Sequence, residues 1–350
     1  MAIGLDIGSS AVRAAELEHR RGGPPKLSRY GQVALPPGAV VDGDVLEPGV
    51  VADALRELWS VAGLRGRNVA VGLASQRVTV RQMDLPELPE AELADAVRLQ
   101  AADQLPMPVD EALLDYVPVE RHKMGDDRFN VRLLLVAAER EMVERLLTAV
   151  TTAKLRPVRV DLDAFALLRS LAGTVPVSDE AGVIVDIGAT VTKIAVHRAG
   201  NPLFVRMVRL GGEAATRQLQ TALELSWDEA EQSKLDASAA MTDGADLDPD
   251  DERARALRKS VQRAITEIGH SLDFFRSQHP DVEVGQVVLS GGASLVPDLA
   301  EELQSVLEVP VERGEPLRSI DATNGKGKAD LEEERPFLAV PVGLAMALLP

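Results

Sequence analysis

Ile3-Gly4-Leu5-Asp6-Ile7-Gly8-Ser9-Ser10-Ala11-Val12-Arg13 returns 180 residues later as Val183-Ile184-Val185-Asp186-Ile187-Gly188-Ala189-Thr190-Val191-Thr192-Lys193. Asp6 pairs with Asp186, Gly8 with Gly188, Ser10 with Thr190 and Arg13 with Lys193. The chain therefore reads as one unit duplicated. Each copy is an apolar β-prone run, then Asp-x-Gly with small hydroxyl residues, then a second β-prone run, which predicts a hairpin with a tight turn. One such hairpin would be an ordinary turn with a structural Asp; two in matched register point to a shared ligand. Glycine lets the backbone approach that ligand closely, successive amides form an anion-binding nest, and Ser or Thr adds a hydroxyl donor. Phosphate is the natural guest, held by Gly8, Ser9, Ser10 and Arg13 on one side and Gly188, Ala189, Thr190 and Lys193 on the other. A carboxylate at each strand end would be repelled by phosphate unless a divalent cation lay between, and Mg²⁺ takes few protein carboxylates plus waters. Asp6 and Asp186 are the expected metal residues, partly through water.

A third motif, Val287-Val288-Leu289-Ser290-Gly291-Gly292-Ala293-Ser294-Leu295-Val296-Pro297-Asp298-Leu299, predicts a buried strand, a Gly-Gly turn and a helix to about Leu307. It reads either as a plain strand-to-helix turn or as a side-chain-free surface for a purine, with helix amides behind it for phosphate.

Outside these motifs the chain has the make-up of a globular protein. Its 350 residues suit two domains or one large bilobed fold. Hydrophobic residues at 45% and charged residues at 27% argue against disorder and coiled coil. A formal net charge of −17 repels nucleic acid and anionic membrane, and ten aromatic residues are too few for base-stacking platforms. Without cysteine there can be no disulfide, thiol nucleophile or thiolate zinc site. The five histidines lack metal-ligand spacing and read as surface residues. The N-terminus reaches Asp6 too soon for a signal peptide, and the apolar tail from Phe337 to Pro350 is too short to span a bilayer. No direct membrane insertion is expected.

The three motifs in this order resemble the actin-like ATPase superfamily, which implies an α/β, ribonuclease H-like duplicated and bilobed fold binding ATP and Mg²⁺. Within that resemblance Asp6 to Arg13 is the first phosphate loop, Val185 to Lys193 the second, and Gly291, Gly292 and Ser294 belong to the adenosine motif. Asp161 to Ala166 falls where a first connecting helix begins, and Val342 to Ala347 resembles the second. Small residues there would let the two helices cross closely. Asp163 stands where relatives carry the acid or amide that orients the attacking water; as a short Asp it implies at most slow ATPase activity. Leu210 to Thr216, with Gly211 and Gly212, is similar to a loop of FtsA-like proteins. Ala230-Glu231-Gln232-Ser233-Lys234 resembles their A-E-x-x-K helix start, in which Glu231 and Lys234 would reach ribose and base. Taken alone, the latter pair is a solvated i,i+3 salt bridge.

An insert begins at the strand Val78 to Pro86, followed by a helix from about Glu90 to Gln104, strands at Leu114 to Glu120 and Asn130 to Ala138, and a helix striped with Met142, Val143, Leu146, Leu147 and Val150. It resembles subdomain 1C of FtsA and of the PilM family of type IV pilus assembly. Glu267 to Gln278 is similar to the E-x-x-x-S-L-D-F-F helix of the PilM family, which is the closer resemblance. That resemblance implies residues 1–77 and 153–181 as the first-lobe core (1A), 78–152 as 1C, 182–338 as the second lobe (2A and 2B) and 339–350 as a connecting helix packing back on lobe 1. It also implies a cytoplasmic scaffold of the inner-membrane pilus assembly complex, recruited to the inner face of the cytoplasmic membrane. The expected partner is the short cytoplasmic N-terminal segment of a PilN-like bitopic protein, beside other pilus assembly proteins; self-association stays open. The alternatives are an FtsA- or MreB-like filament-forming ATPase and a sugar-kinase-type phosphotransferase, for which no base is evident. Two charged loops, Asp243 to Glu252 and Ala322 to Arg335, are expected to be mobile.

Overall fold

The computed structural model describes residues 1–124, 128–174, 180–244, 248, 250–322 and 328–350. The first hairpin forms as the motif predicts: β1 (Ala2–Ile7) pairs antiparallel with β2 (Ala11–Glu18), Asp6 faces Arg13, and the Gly8 amide closes the turn onto the Ala11 carbonyl at 3.0 Å. After β3 (Lys26–Ala34) come the two-residue strands β4 (Val40–Val41) and β5 (Asp44–Val45), α1 (Pro48–Val61) and β6 (Asn68–Leu73). The insert supplies β7 (Val78–Pro86), α2 (Glu90–Ala101), β8 (Ala112–Lys123) and β9 (Phe129–Glu139), which form a separate three-stranded sheet in the order β7-β9-β8. With α3 (Arg140–Thr152), β10 (Arg156–Leu162) and α4 (Asp163–Leu171) the chain returns to the first lobe, whose sheet order is β10-β6-β1-β2-β3.

The second half repeats this plan. β11 (Ala181–Ile187) and β12 (Thr192–Arg198) pair with Asp186 facing Lys193, and the Gly188 amide reaches the Val191 carbonyl at 3.1 Å. β13 (Asn201–Val208), α5 (Glu213–Leu223), α6 (Trp227–Thr242), α7 (Glu252–Gln278), β14 (Val284–Ser290), α8 (Leu299–Leu307) and β15 (Val311–Arg313) follow. The sheet order, β13-β12-β11-β14-β15, mirrors the first. In both, the central strand is antiparallel to the next and parallel to a later one, β6 or β14. Lastly α9 (Lys328–Glu334) and α10 (Ala339–Met346) return the chain to β1 and β2.

Each lobe has its own core, and a third joins them: Leu167 and Leu171 of α4 and Val340 and Leu344 of α10 pack with Ile184, Ala195, Val205 and Val288 of the second sheet. The helices cross as closely as the small residues suggest. A Cβ on Gly343 would lie 1.9 Å from the Ala166 carbonyl oxygen, and Arg169 of α4 donates to the Gly343 carbonyl at 2.9 Å.

Several expectations are corrected. The stripe of α3 is core, but it joins the first lobe's core with α1, while the insert's own core comes from Met83, Leu85, Leu93, Val97, Leu133 and Leu135. Helix α2 stops at Ala101, three residues short of Gln104, because residues 102 to 104 already turn toward Pro106. Helix α8 begins at Leu299, so a short 3₁₀ turn (Gly292–Leu295), and not an α-helix N-terminus, follows the Gly-Gly pair. Of the two charged loops, residues 245–247, 249 and 323–327 lie outside the described residues. The ends of both are ordered structure: Asp251 caps α7 by accepting from the Arg253 amide at 2.8 Å, and residues 328–334 are α9. His197 is no surface residue; it is 1% exposed inside β12. Among the described residues no helix is long and apolar enough to cross a membrane.

Candidate functional site

The duplicated hairpins bring their turns face to face between the lobes, and Ser9 Oγ meets Thr190 Oγ1 at 2.6 Å. Facing positions on antiparallel strands put side chains within reach of each other, which delivers the Lys193 ammonium to Asp186 Oδ2 at 2.6 Å. Asp163, the first residue of α4, comes to 3.6 Å from the same ammonium. On the first hairpin Arg13 stays 3.8 Å from Asp6, because its guanidinium donates to Gln32 Oε1 at 3.2 Å and lies over the Phe337 ring.

All three aspartates and Lys193 are buried. Burial pushes the Asp6 carboxyl up against the opposing pull of Lys193 and Arg13, and Asp186 adds to the rise. Asp163 is raised to about 7, first by burial, against Lys193, and then by the nearby charges of Asp6 and Asp186. Its Oδ1 is buried without a hydrogen-bond partner. Burial works against the Lys193 ammonium too, but Asp186, Asp163 and Asp6 outweigh it and hold its pKa above the ordinary lysine value. Lys193 and Arg13 thus offset part of the carboxylate charge within the cluster.

This donor set does not fit a directly held magnesium ion as it stands. Mg²⁺ demands oxygen ligands at about 2.0–2.1 Å in an octahedron, whereas Asp186 already faces an ammonium. Among the described residues no three His, Asp or Glu side chains gather into a metal-holding group.

On the second lobe, Gly211 and Gly212 press onto the second turn: the Gly212 amide donates to the Gly188 carbonyl at 3.1 Å and the Glu213 amide to the Ala189 carbonyl at 2.9 Å. A Cβ on Gly211 would stand 2.2 Å from the Ala189 oxygen, so glycine is required for this approach. Glu231 and Lys234 are not simply solvated. Lys234 Nζ contacts both Glu231 oxygens at 2.8 and 2.7 Å and Thr216 Oγ1 at 3.0 Å, and its side chain is only 13% exposed. Gly212 stands between Lys234 and Ala293, which ties this network to the Gly-Gly turn. There Gly291 has φ +84°, a conformation that favours glycine, and its missing Cβ leaves room for the Ile187 backbone. On the side where Gly292 would carry a side chain lies the Phe337 ring, and Ser294 Oγ donates to the Gly291 carbonyl at 2.6 Å. Ser10 is exposed at the tip of the first turn.

The candidate residues thus form two groups, the loop–aspartate cluster and the Gly212–Glu231–Lys234–Gly292 wall. From sequence, Thr216 is read only as part of a loop and Phe337 only as the start of the apolar tail. Thr216 ends the Leu210 to Thr216 loop; Phe337, reached only through tertiary folding of the tail, has no local signal.

The sequence model of the family described as type IV pilus assembly protein PilM matches residues 4–348. A solved chain from a PilM-PilN type IV pilus biogenesis complex is 29% identical, with a TM-score of 0.86 over 100% of this chain and 99% of that one. The cell division protein FtsA of Agrobacterium fabrum is 27% identical over 314 residues, covering 80% of this chain and 70% of FtsA. MreB 5 of Spiroplasma citri bound to AMPPNP shares the fold alone, at 12% identity and a TM-score of 0.52 over 99% and 95% of the two chains. With nearly its whole length matched, and with the duplicated hairpins and the insert both in place, the chain belongs to the type IV pilus assembly protein PilM family.

Proposed function

We propose that the protein is a nucleotide-holding scaffold of a type IV pilus assembly complex, placed at the inner face of the cytoplasmic membrane by docking the cytoplasmic N-terminal segment of a PilN-like membrane protein. The observation that carries this reading is the end-to-end similarity to a chain from a PilM-PilN complex. Docking falls to the part of the insert from β7 to β9, whose three-stranded sheet is an addition to the duplicated plan. Short extended segments bind such modules by an added strand or by apolar anchors in a groove.

ATP is the proposed ligand of the cleft. The two turns, with Gly8, Ser9, Ser10, Gly188, Ala189 and Thr190, would receive its phosphates, and Arg13 and Lys193 bring positive charge. Gly211, Gly212, Glu231, Lys234, Gly291, Gly292 and Ser294 would frame the nucleoside. The chemistry supports slow turnover at most: Asp163 is buried beside Lys193, and a carboxyl with a pKa about 7 is a partly protonated orienter of water.

Vesicle flotation tests the docking. Full-length protein should remain at the bottom of a gradient with bare anionic vesicles and float with vesicles displaying the PilN-like N-terminal segment. Flotation with bare vesicles would instead favour the FtsA-like reading that the relatives keep in play. Recruitment that survives removal of the insert would clear the insert of this role.

A further inference from the structure

Lys193 and Arg13 hold equivalent places in the duplicated hairpins, each opposite its Asp. Their behaviour differs. Arg13 is drawn off toward Gln32 and Phe337 and stays 3.8 Å from Asp6, whereas Lys193 reaches inward, 2.6 Å from Asp186 and 3.6 Å from Asp163. The lysine thus stands between a carboxylate of the second hairpin and one from the connecting helix. Asp163 Oδ1 is buried with no hydrogen-bond partner, while the ammonium faces Oδ2 on the other side of that carboxylate. Lys193 is itself 9% exposed, and the strand register holds its backbone opposite Asp186.

We infer that Lys193 is a resident cation of the cleft, its ammonium filling the place a divalent metal would take between Asp186 and Asp163, so that the cleft accepts a nucleoside triphosphate without magnesium. A compact ammonium offers three donors and one positive charge, and it needs no coordination octahedron. It screens the carboxylates from an arriving polyphosphate, which is the task that otherwise calls for a metal. The first half of the inference stands on the lysine geometry; the second rests on the nucleotide reading proposed above.

Two measurements on the full chain test it. In the first, Mn²⁺ alone is titrated into nucleotide-free protein and followed by electron paramagnetic resonance. Wild type and Lys193→Arg should show no specific site. Lys193→Gln, with the ammonium gone, should bind Mn²⁺ at least about tenfold more tightly than wild type, and the gain should vanish in Lys193→Gln combined with Asp186→Asn. Stoichiometric Mn²⁺ binding by wild type that Asp186→Asn abolishes would overturn the inference, and it can be read even if the Gln variant fails to fold. In the second, ATP binding is measured in EDTA and in MgCl₂. Wild-type affinity should agree within about threefold between the two buffers, while Lys193→Gln should lose at least about tenfold in EDTA. Wild-type binding only with magnesium overturns the metal-free cleft and leaves the nucleotide reading standing. Binding in neither buffer, with the Mn²⁺ results as expected, overturns the nucleotide reading and leaves Lys193 as the resident cation.

Discussion

Among single residues, His197 has the clearest consequence for stability. It sits in the middle of a β-sheet, its Nδ1 accepts the Gly200 amide at 3.2 Å, and its Nε2 is buried without a partner. Burial disfavours the imidazolium and lowers the pKa to about 4. An unfolded chain takes up this proton below about pH 6.5, so between pH 6.5 and 4 the unfolded state holds more protons and stability falls as pH falls. The contribution is complete above pH 6.5, and over the whole window it amounts to on the order of 3 kcal/mol. His197→Asn keeps an acceptor for Gly200 and removes the titration. Its urea midpoint should therefore drop less than that of wild type between pH 7.5 and 4.5, and equal drops would show that His197 carries none of the slope. The histidine was misread from sequence because its spacing speaks only to metals. Its burial follows from strand pairing. Glu231 and Lys234 were legible as a pair but not as a wall, since Thr216 and Gly212 join them only in three dimensions.

For whole elements, the connecting helices make a prediction with a built-in contrast. Gly343 of α10 packs directly on the Ala166 backbone, while Gly269 inside α7 has open space where a Cβ would go. Gly343→Ala forces backbone apart at the crossing and should cost roughly 3 kcal/mol or more. Gly269→Ala should gain about 0.5–1 kcal/mol, because alanine is the better helix former. Chemical denaturation of the two variants separates these effects, and a loss of similar size in both would refute the close crossing. Elements were the most legible level of this chain. Both hairpins and the insert's strands follow from local pattern and repeat, and the small-residue connecting helices from the family resemblance. What local pattern could not assign was allegiance: the stripe of α3 looks the same whether it faces the insert or, as it does, α1. The start of α8 slipped for a similar reason, since the 3₁₀ turn after Gly291 depends on that glycine's left-handed backbone and on the neighbouring strand end at Ile187.

In the whole molecule, several contacts bind the lobes together. Helices α4 and α10 carry a core that includes second-sheet residues, the turns meet at Ser9 and Thr190, Arg209 pairs with Asp42, and the insert reaches across to the second lobe. At this last contact Gln82, Val119 and Leu134 line a small open pocket together with Leu203, His279 and Val282. Buried apolar contact shared between lobes couples their unfolding, whereas lobes touching only through polar rims would melt apart. Calorimetry should accordingly show one transition for the free protein. ATP bound between turns from both lobes would stabilise that single unit, by about 4 kcal/mol at 1,000 times its dissociation constant. The one peak should move upward as a whole. Two peaks of which ATP moves only the second-lobe one would mean that the phosphates are held by Gly188 to Thr190 without the first turn, and that Ser9 and Thr190 touch without sharing a ligand.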